Sequence, residues 1–298
     1  MRPVASRAAA VVVLAWLVAG GTAVAADGYE QASWWLLVLN LVVLLPGAVL
    51  AVLRLGEAVA GRAIGLLSAL TLVLLPPFGV LYALPKYRDT YVDRVLPDAV
   101  GIAAGGRFPA AALSVVAAAL ALRALDGERE RVAAAASGLA AGTAALVHPA
   151  GGLVLVGIML AYAVVWRPVE AGFGAAAAAP LLAVAAATHG IALDVSHDAF
   201  TGSMNGLREY LWSNRLLQWL PLAGAIGAAR GSLPLAFLLG GWFGAFALAY
   251  GPSPQISVED GSFLVAFVPA LPAFCLLVAC VPLLVPTLPA RLDSPSTT

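Results

Sequence analysis

The sequence predicts an all-α protein, a polytopic transmembrane helix bundle of about ten spans, and three observations carry that prediction. Hydrophobic residues make up 62% and charged residues only 11% of the 298 positions, more apolar surface than a soluble domain of this size buries. The apolar residues come in runs close to the roughly 20 residues that a helix needs to cross a hydrocarbon core. The 16 basic residues gather at alternate ends of those runs.

Taken in order, Arg2 and Arg7 precede an apolar stretch from Ala8, and Ala23-Val24-Ala25 stands before Ala26-Asp27, as in a secretory signal with a small-x-small cleavage site. Residues 1–25 are therefore either a signal-like segment or a first span, and in both cases the next segment starts outside. Further apolar runs occupy about 34–53, 63–84, 108–122, 132–147, 150–166, 172–193, 216–229, 232–250 and 263–287. They make residues 26–290 one transmembrane helical domain and leave 291–298 as a polar, disordered tail. Pro76-Pro77, Pro221, Pro234, Pro269 and Pro272 fall inside runs and are expected to kink or break them. Gly138 with Gly142, and Gly240 with Gly244, have the spacing that lets helix backbones approach closely. Cys275 and Cys280 share one apolar run, point in different directions around a helix, and read as buried thiols.

With the N-terminus inside, Arg2, Arg7, Arg54, Arg62, Arg123, Arg129, Arg131, Arg167, Arg230 and Arg291 form the inner set, and Lys86, Arg88, Arg94, Arg107, Arg208 and Arg215 the outer set. The bias follows the positive-inside rule and predicts the plasma (inner) membrane, with a cytoplasmic N-terminus if the first span is retained. Zero net charge without a basic patch argues against a nucleic-acid partner, while membrane lipids are partners by composition. The longer outer loops are at 86–107 and 194–215, and the segments 26–33, 86–98 and 194–215, which carry most of the outer charge, are expected to share a cavity.

The densest ionisable cluster is Lys86 to Asp98, KYRDTYVDRVLPD, too polar for hydrocarbon and therefore expected at a membrane surface or in a wet cavity. Its carboxylates Asp89, Asp93 and Asp98 can pair with Lys86, Arg88 and Arg94, or line a substrate site. His148, before Pro149, is expected at the outer end of a helix pair, capping the turn or touching substrate. His189, Asp194, His197 and Asp198 are the one group able to hold a divalent cation, but their spacing fits no metal motif, so neither metal nor cofactor is expected. Residues 203–219 read as an amphipathic helix in the outer interface. There is no phosphate-cradling glycine loop, zinc-type cysteine spacing or nucleophile elbow.

Four stretches together resemble the GT-C superfamily of membrane glycosyltransferases, the polyprenyl-phosphate-sugar-dependent, mannosyltransferase-like enzymes. They are Arg54-Leu55-Gly56 through AGRAIGLLSALTLVLLPP, Leu96-Pro97-Asp98-Ala99 followed by an Ala/Leu helix and Arg123, SGLAAGTAALVHPAGGLVLVGIMLAYAVVW, and DGSFLVAFVPALPAF. The resemblance covers most of residues 40–285 in order. It implies an outer-face transferase for cell-envelope glycan or glycolipid assembly, with a polyprenyl-phosphate-linked sugar as donor. It also implies an acidic general base in the first outer loop, where Asp27 is the positional match, and basic residues that hold the donor phosphate. Only Ala26 to Ser33 separates the first two runs, whereas family members carry a longer loop there. The candidate site is thus Asp27 as base, with Lys86, Arg88, Asp93, Arg94, Asp98 and His148 at the donor. Two other classes compete with the transferase: a non-catalytic relative or structural subunit of an envelope complex, and a flippase-like carrier.

Overall fold

The computed structural model of the chain describes residues 8, 10–18, 37–103, 107–127, 129–189, 196–210 and 215–285. Among these residues the secondary structure is helical, with no strand. Five stretches are long and apolar enough to cross a membrane: Leu39–Tyr82, Arg107–Leu125, Pro168–His189, Leu233–Tyr250 and Ser262–Leu284.

The first of these cannot cross once. Its 44 residues would extend roughly 66 Å as a straight helix at 1.5 Å per residue, about twice a hydrocarbon core. A π-helical turn, Leu39–Leu44, leads into α1, Leu45–Tyr82, and α1 reverses at Ala60 and Gly61. Gly61 has φ +79° and ψ −174°, a conformation open to glycine. The two arms then touch through glycine: a Cβ on Gly56 would stand 2.8 Å from the Gly65 Cα, and one on Gly65 would stand 2.7 Å from the Leu53 carbonyl oxygen. The element is therefore a helical hairpin.

The chain continues through α2 (Pro85–Thr90), a π-helical segment Tyr91–Val95, α3 (Leu96–Ala99), α4 (Arg107–Leu125) and α5 (Glu130–Val147). A 3-10 turn at Pro149–Leu153 leads into α6 (Val154–Val164), followed by α7 (Pro168–His189), α8 (His197–Tyr210), α9 (Arg215–Gly231) and α10 (Leu233–Tyr250). α11 (Ser262–Phe267) and α12 (Leu271–Cys280) are separated by a 3-10 turn at Val268–Ala270.

Small residues set the helix crossings, because a backbone can approach only where no side chain intervenes. Gly138 and Gly142 of α5 lie against Gly174, Ala178 and Leu181 of α7, so the first glycine pair marks a real interface. The second does not: Gly244 faces open space and Gly240 meets Ala225 at an ordinary distance. On α10 the close approach belongs to Gly241, which packs on Gly157 of α6, while Gly157 itself abuts the Leu238 carbonyl. Gly224 and Gly227 of α9 seat on the backbone of Leu277 and Cys280. Of the prolines expected to kink or break the runs, Pro269 stands in the 3-10 turn that interrupts the last run, with Pro272 in the first turn of the helix after it. Pro76, Pro77 and Pro221 lie inside helices, and Pro234 stands in the first turn of α10, where the missing N–H has no intrahelical partner to lose.

The main core joins α1, α4, α5, α6, α10 and α12, with Tyr162, Trp242 and Leu276 fully enclosed and the free thiols of Cys275 and Cys280 buried among them. Val11 and Ala15 of the helical residues 10–18 pack into it. Facing outward are large apolar side chains at helical spacing: Val38, Val42 and Leu39, Val43 before α1, Val169 and Phe173 on α7, and Trp219, Leu222 and Ile226 on α9. Such bands are what a helical bundle offers to lipid, and with the apolar helices they make this a membrane-associated protein.

The path of the chain sorts the charges. Arg54, Arg62, Arg123, Arg129, Arg131, Arg167 and Arg230 lie toward one end of the bundle, where Arg167 bonds Glu130 at 2.8 Å and Gly231 meets the Val59 carbonyl. Lys86, Arg88, Arg94, Arg107 and Arg208 lie toward the other, hereafter the Asp98 end.

Candidate functional site

Lys86 to Asp98 is helix rather than loop. α2, the π-helical segment and α3 run almost without interruption across the end of the bundle. Tyr87, Tyr91 and Val95, four residues apart, are buried on one stripe against Phe246, Val258 and Phe263. Lys86, Arg88, Asp89, Asp93 and Arg94 are exposed on the other side. The Tyr91 hydroxyl donates to the Pro76 carbonyl at 2.9 Å and rests on Gly79, where a Cβ would collide with it. Arg94 donates to the Asp260 carbonyl at 3.4 Å, and the Lys86 ammonium lies 4.4 Å from the centre of the Tyr87 ring.

After α3 the chain turns through Gly101, whose φ of +82° and contact with the Phe108 ring both exclude a side chain. The Ile102 and Ala103 amides donate back to the Pro97 carbonyl at 2.9 and 3.0 Å. The Gly101 carbonyl accepts a 2.8 Å hydrogen bond from Asn40 Nδ2, a buried carboxamide in the π-helical turn before α1.

This turn carries Asp98 into the interior. The carboxylate is buried and meets Arg107 Nη1 at 3.2 Å, at the N-terminus of α4. Burial pushes the Asp98 carboxyl up to about 6, outweighing Arg107 and the backbone of Arg107 and Phe108, which pull it down. Its Oδ1 has no hydrogen-bond partner among the described residues.

Arg107 links Asp98 to a second group. Burial, then the Arg107 charge, then His189, push His148 down to about 4, so its imidazole is neutral at pH 7. His148 Nδ1 accepts the Ala150 amide at 3.3 Å, which caps the turn at Pro149–Leu153. The His148 ring is 6.5 Å from Tyr250, which stacks on Phe246 at 5.2 Å. His189 Nε2 donates to the Leu146 carbonyl at 2.9 Å. One end of the bundle thus holds a buried carboxylate, a fixed guanidinium, a neutral imidazole and a phenol, able to accept a proton and to stabilise an anion.

Of the residues singled out in the sequence, Asp98 and His148 come together around Arg107. Asp98 pairs with Arg107 and not with Lys86, Arg88 or Arg94, because the helical segment turns those three away from it. Lys86, Arg88 and Asp93 are exposed apart from this cluster, Arg94 is engaged at Asp260, and Asp27 lies outside the described residues. Sequence reasoning missed Asn40, Arg107 and Tyr250 as site residues. Asn40 had a signal, being the one polar residue within the run from Leu36 to Pro46.

Among the described residues no three His, Cys, Asp or Glu side chains form a metal-binding group, and Asp194 lies outside them. Two small, mainly apolar cavities of about 10 and 20 Å³ are each bordered by Ala99 and Phe108 and hold a water molecule at most. Of the segments expected to share a cavity at this end, 26–33 lies outside the described residues. Comparison with protein-family models, curated proteins and solved structures returned no match.

Proposed function

We propose that the chain is a GT-C-like polytopic membrane glycosyltransferase of about ten spans, which uses a polyprenyl-phosphate-linked sugar at its Asp98 end. The observation that carries this reading is Asp98 itself, a buried carboxyl pushed up to about 6 and held 3.2 Å from a guanidinium at the end of an apolar bundle. Glycosyl transfer forms a bond from an acceptor oxygen to the anomeric carbon as the bond to the phosphate breaks. The acceptor proton passes to Asp98, whose affinity for it suits a base near neutral pH, and Arg107 steadies the departing phosphate. Asp27, the positional match to the family's base, is the competing candidate for that proton. By the positive-inside rule the Asp98 end faces outward across the plasma membrane.

A second reading, a non-catalytic subunit of an envelope complex, is supported by the two cavities bordered by Ala99 and Phe108, neither of which admits a sugar. Reconstituted full chain supplied with radiolabelled polyprenyl-phosphate sugars separates the two. The transferase reading expects turnover that falls by about 10²–10⁴ in Asp98→Asn and donor binding that weakens in Arg107→Gln. Turnover unchanged in Asp98→Asn but lost in Asp27→Asn would move the base to Asp27. Absence of both turnover and binding across the donors would support the subunit.

A further inference from the structure

Two non-glycine residues among those described have positive φ, Arg129 at +46° and Trp166 at +58°. A side chain in the left-handed region costs backbone energy that glycine would avoid, so each needs a reason to stand there. They occupy turns at the end of the bundle opposite Asp98, Arg129 just before α5 and Trp166 just before α7. The residues that follow them, Glu130 and Arg167, meet at 2.8 Å and fasten the two turns together. Both strained side chains point out of the fold: Arg129 is exposed, and Trp166 is 84% exposed. At that exposure the indole gains almost nothing from packing within the chain.

The surface around these turns mixes cations with apolar groups. Val169 and Phe173, one turn apart on α7, and Val132 on α5 are exposed. Arg131 of α5 reaches over them, its guanidinium carbon 5.9 Å from the centre of the Phe173 ring. Glu130 and Glu170 are turned to Arg167 at 2.8 and 3.8 Å, whereas Arg129 and Arg131 make no ion pair among the described residues. Two unpaired guanidiniums at the positive end of α5 disfavour that helix unless an anion lies against them. An exposed indole beside arginines, at the rim of an apolar stripe, suits the depth where lipid headgroups meet acyl chains.

We propose that this corner binds an anionic phospholipid. Arg129 and Arg131 hold its phosphate, Trp166 lies at headgroup depth, and the acyl chains cover Val132, Val169 and Phe173. The occupant is a lipid and not a soluble anion, because the cations stand over an apolar stripe that acyl chains cover and water does not favour. The Glu130–Arg167 contact holds the two turns in the register that the site needs. The site lies at the end of the bundle opposite Asp98 and does not depend on transfer chemistry.

Full-length protein in phosphatidylcholine bilayers, with spin-labelled phosphatidylglycerol or spin-labelled phosphatidylcholine added, tests this by electron paramagnetic resonance, which measures how much of each label is motionally restricted. The unmodified protein is expected to retain phosphatidylglycerol in preference to phosphatidylcholine. Replacing both cations, Arg129→Gln with Arg131→Gln, is expected to lower that preference about fivefold. Arg62→Gln, on the α1 hairpin at the same end, is expected to change it by less than about twofold. Equal losses in the two variants overturn the proposal, since the preference then belongs to the basic end as a whole, and so does an unmodified protein with no preference. The emission lost in Trp166→Phe gives a second reading. It is expected to be quenched more by brominated phosphatidylglycerol than by brominated phosphatidylcholine, and equal quenching by the two overturns the site. Release of the labelled lipid by inorganic phosphate, but not by chloride at matched ionic strength, would assign the corner to a soluble anion and overturn the lipid.

Discussion

Asp98 and Arg107 meet at 3.2 Å across the turn that joins the helical segment capping the bundle to α4, with the carboxylate buried and the guanidinium side chain 35% exposed. The asymmetry matters because the two partners are desolvated unequally. Asp98 loses water on folding and Arg107 does not lose it all, so the pair keeps the carboxyl readier to take a proton than a surface pair would.

Opposite pH responses follow for Asp98 and His148. Asp98 binds its proton more tightly folded than unfolded, rising from 3.8 to about 6, so its contribution to stability is full below 3.8 and lost as pH climbs through 6. His148 binds its proton less tightly folded, falling from 6.5 to about 4, so its contribution is present above 6.5 and lost as pH falls through 4. Between about pH 4 and 6 the two largely offset. Thermal midpoints in detergent across this window are expected to rise with pH in Asp98→Asn, where only His148 acts, and to fall with pH in His148→Asn. Equal slopes in the two variants would contradict the assignment.

The sorting of arginines predicts topology. Both native cysteines are buried and should not react in the folded protein, so single cysteines placed at exposed Asp89 and Asp126 report the two ends cleanly. An impermeant maleimide applied to intact cells is expected to label Asp89→Cys and to spare Asp126→Cys. The reverse pattern would turn the bundle over in the membrane.

The glycine pairs make a paired stability test. Gly157→Val drives a side chain into the Leu238 carbonyl and is expected to cost about 2 kcal/mol or more. Gly244→Ala enters open space and is expected to stay within about 0.5 kcal/mol of the unmodified protein. Comparable destabilisation of both would show that α10 packs through another face.

Tyr91→Phe removes the donor to the Pro76 carbonyl while preserving the ring on Gly79. The expected loss is about 1 kcal/mol in thermal or denaturant unfolding, the ordinary worth of one buried hydrogen bond. Tyr91→Ala should cost more, because it also empties the space the ring fills over α1.

Helical class, membrane association and the positions of the five long apolar helices were legible in the sequence, because hydropathy and its period are properties of neighbouring residues. The alternation of basic residues between the two ends was legible for the same reason, and so was the Gly138–Gly142 crossing. Three things depended on the folded path. Lys86 to Asp98 became helix because the core beneath it receives Tyr87, Tyr91 and Val95, a surface that exists only once α10 and α11 are in place. Asp98 took Arg107 as its partner because α3 turns the carboxylate inward, away from the closer cations of its own segment. Asn40 reached Gly101 across 61 residues of chain, and no local pattern encodes a contact at that separation. Short-range chemistry sets what each segment is, whereas the pairing of buried polar groups is decided by which segments the packed helices bring together.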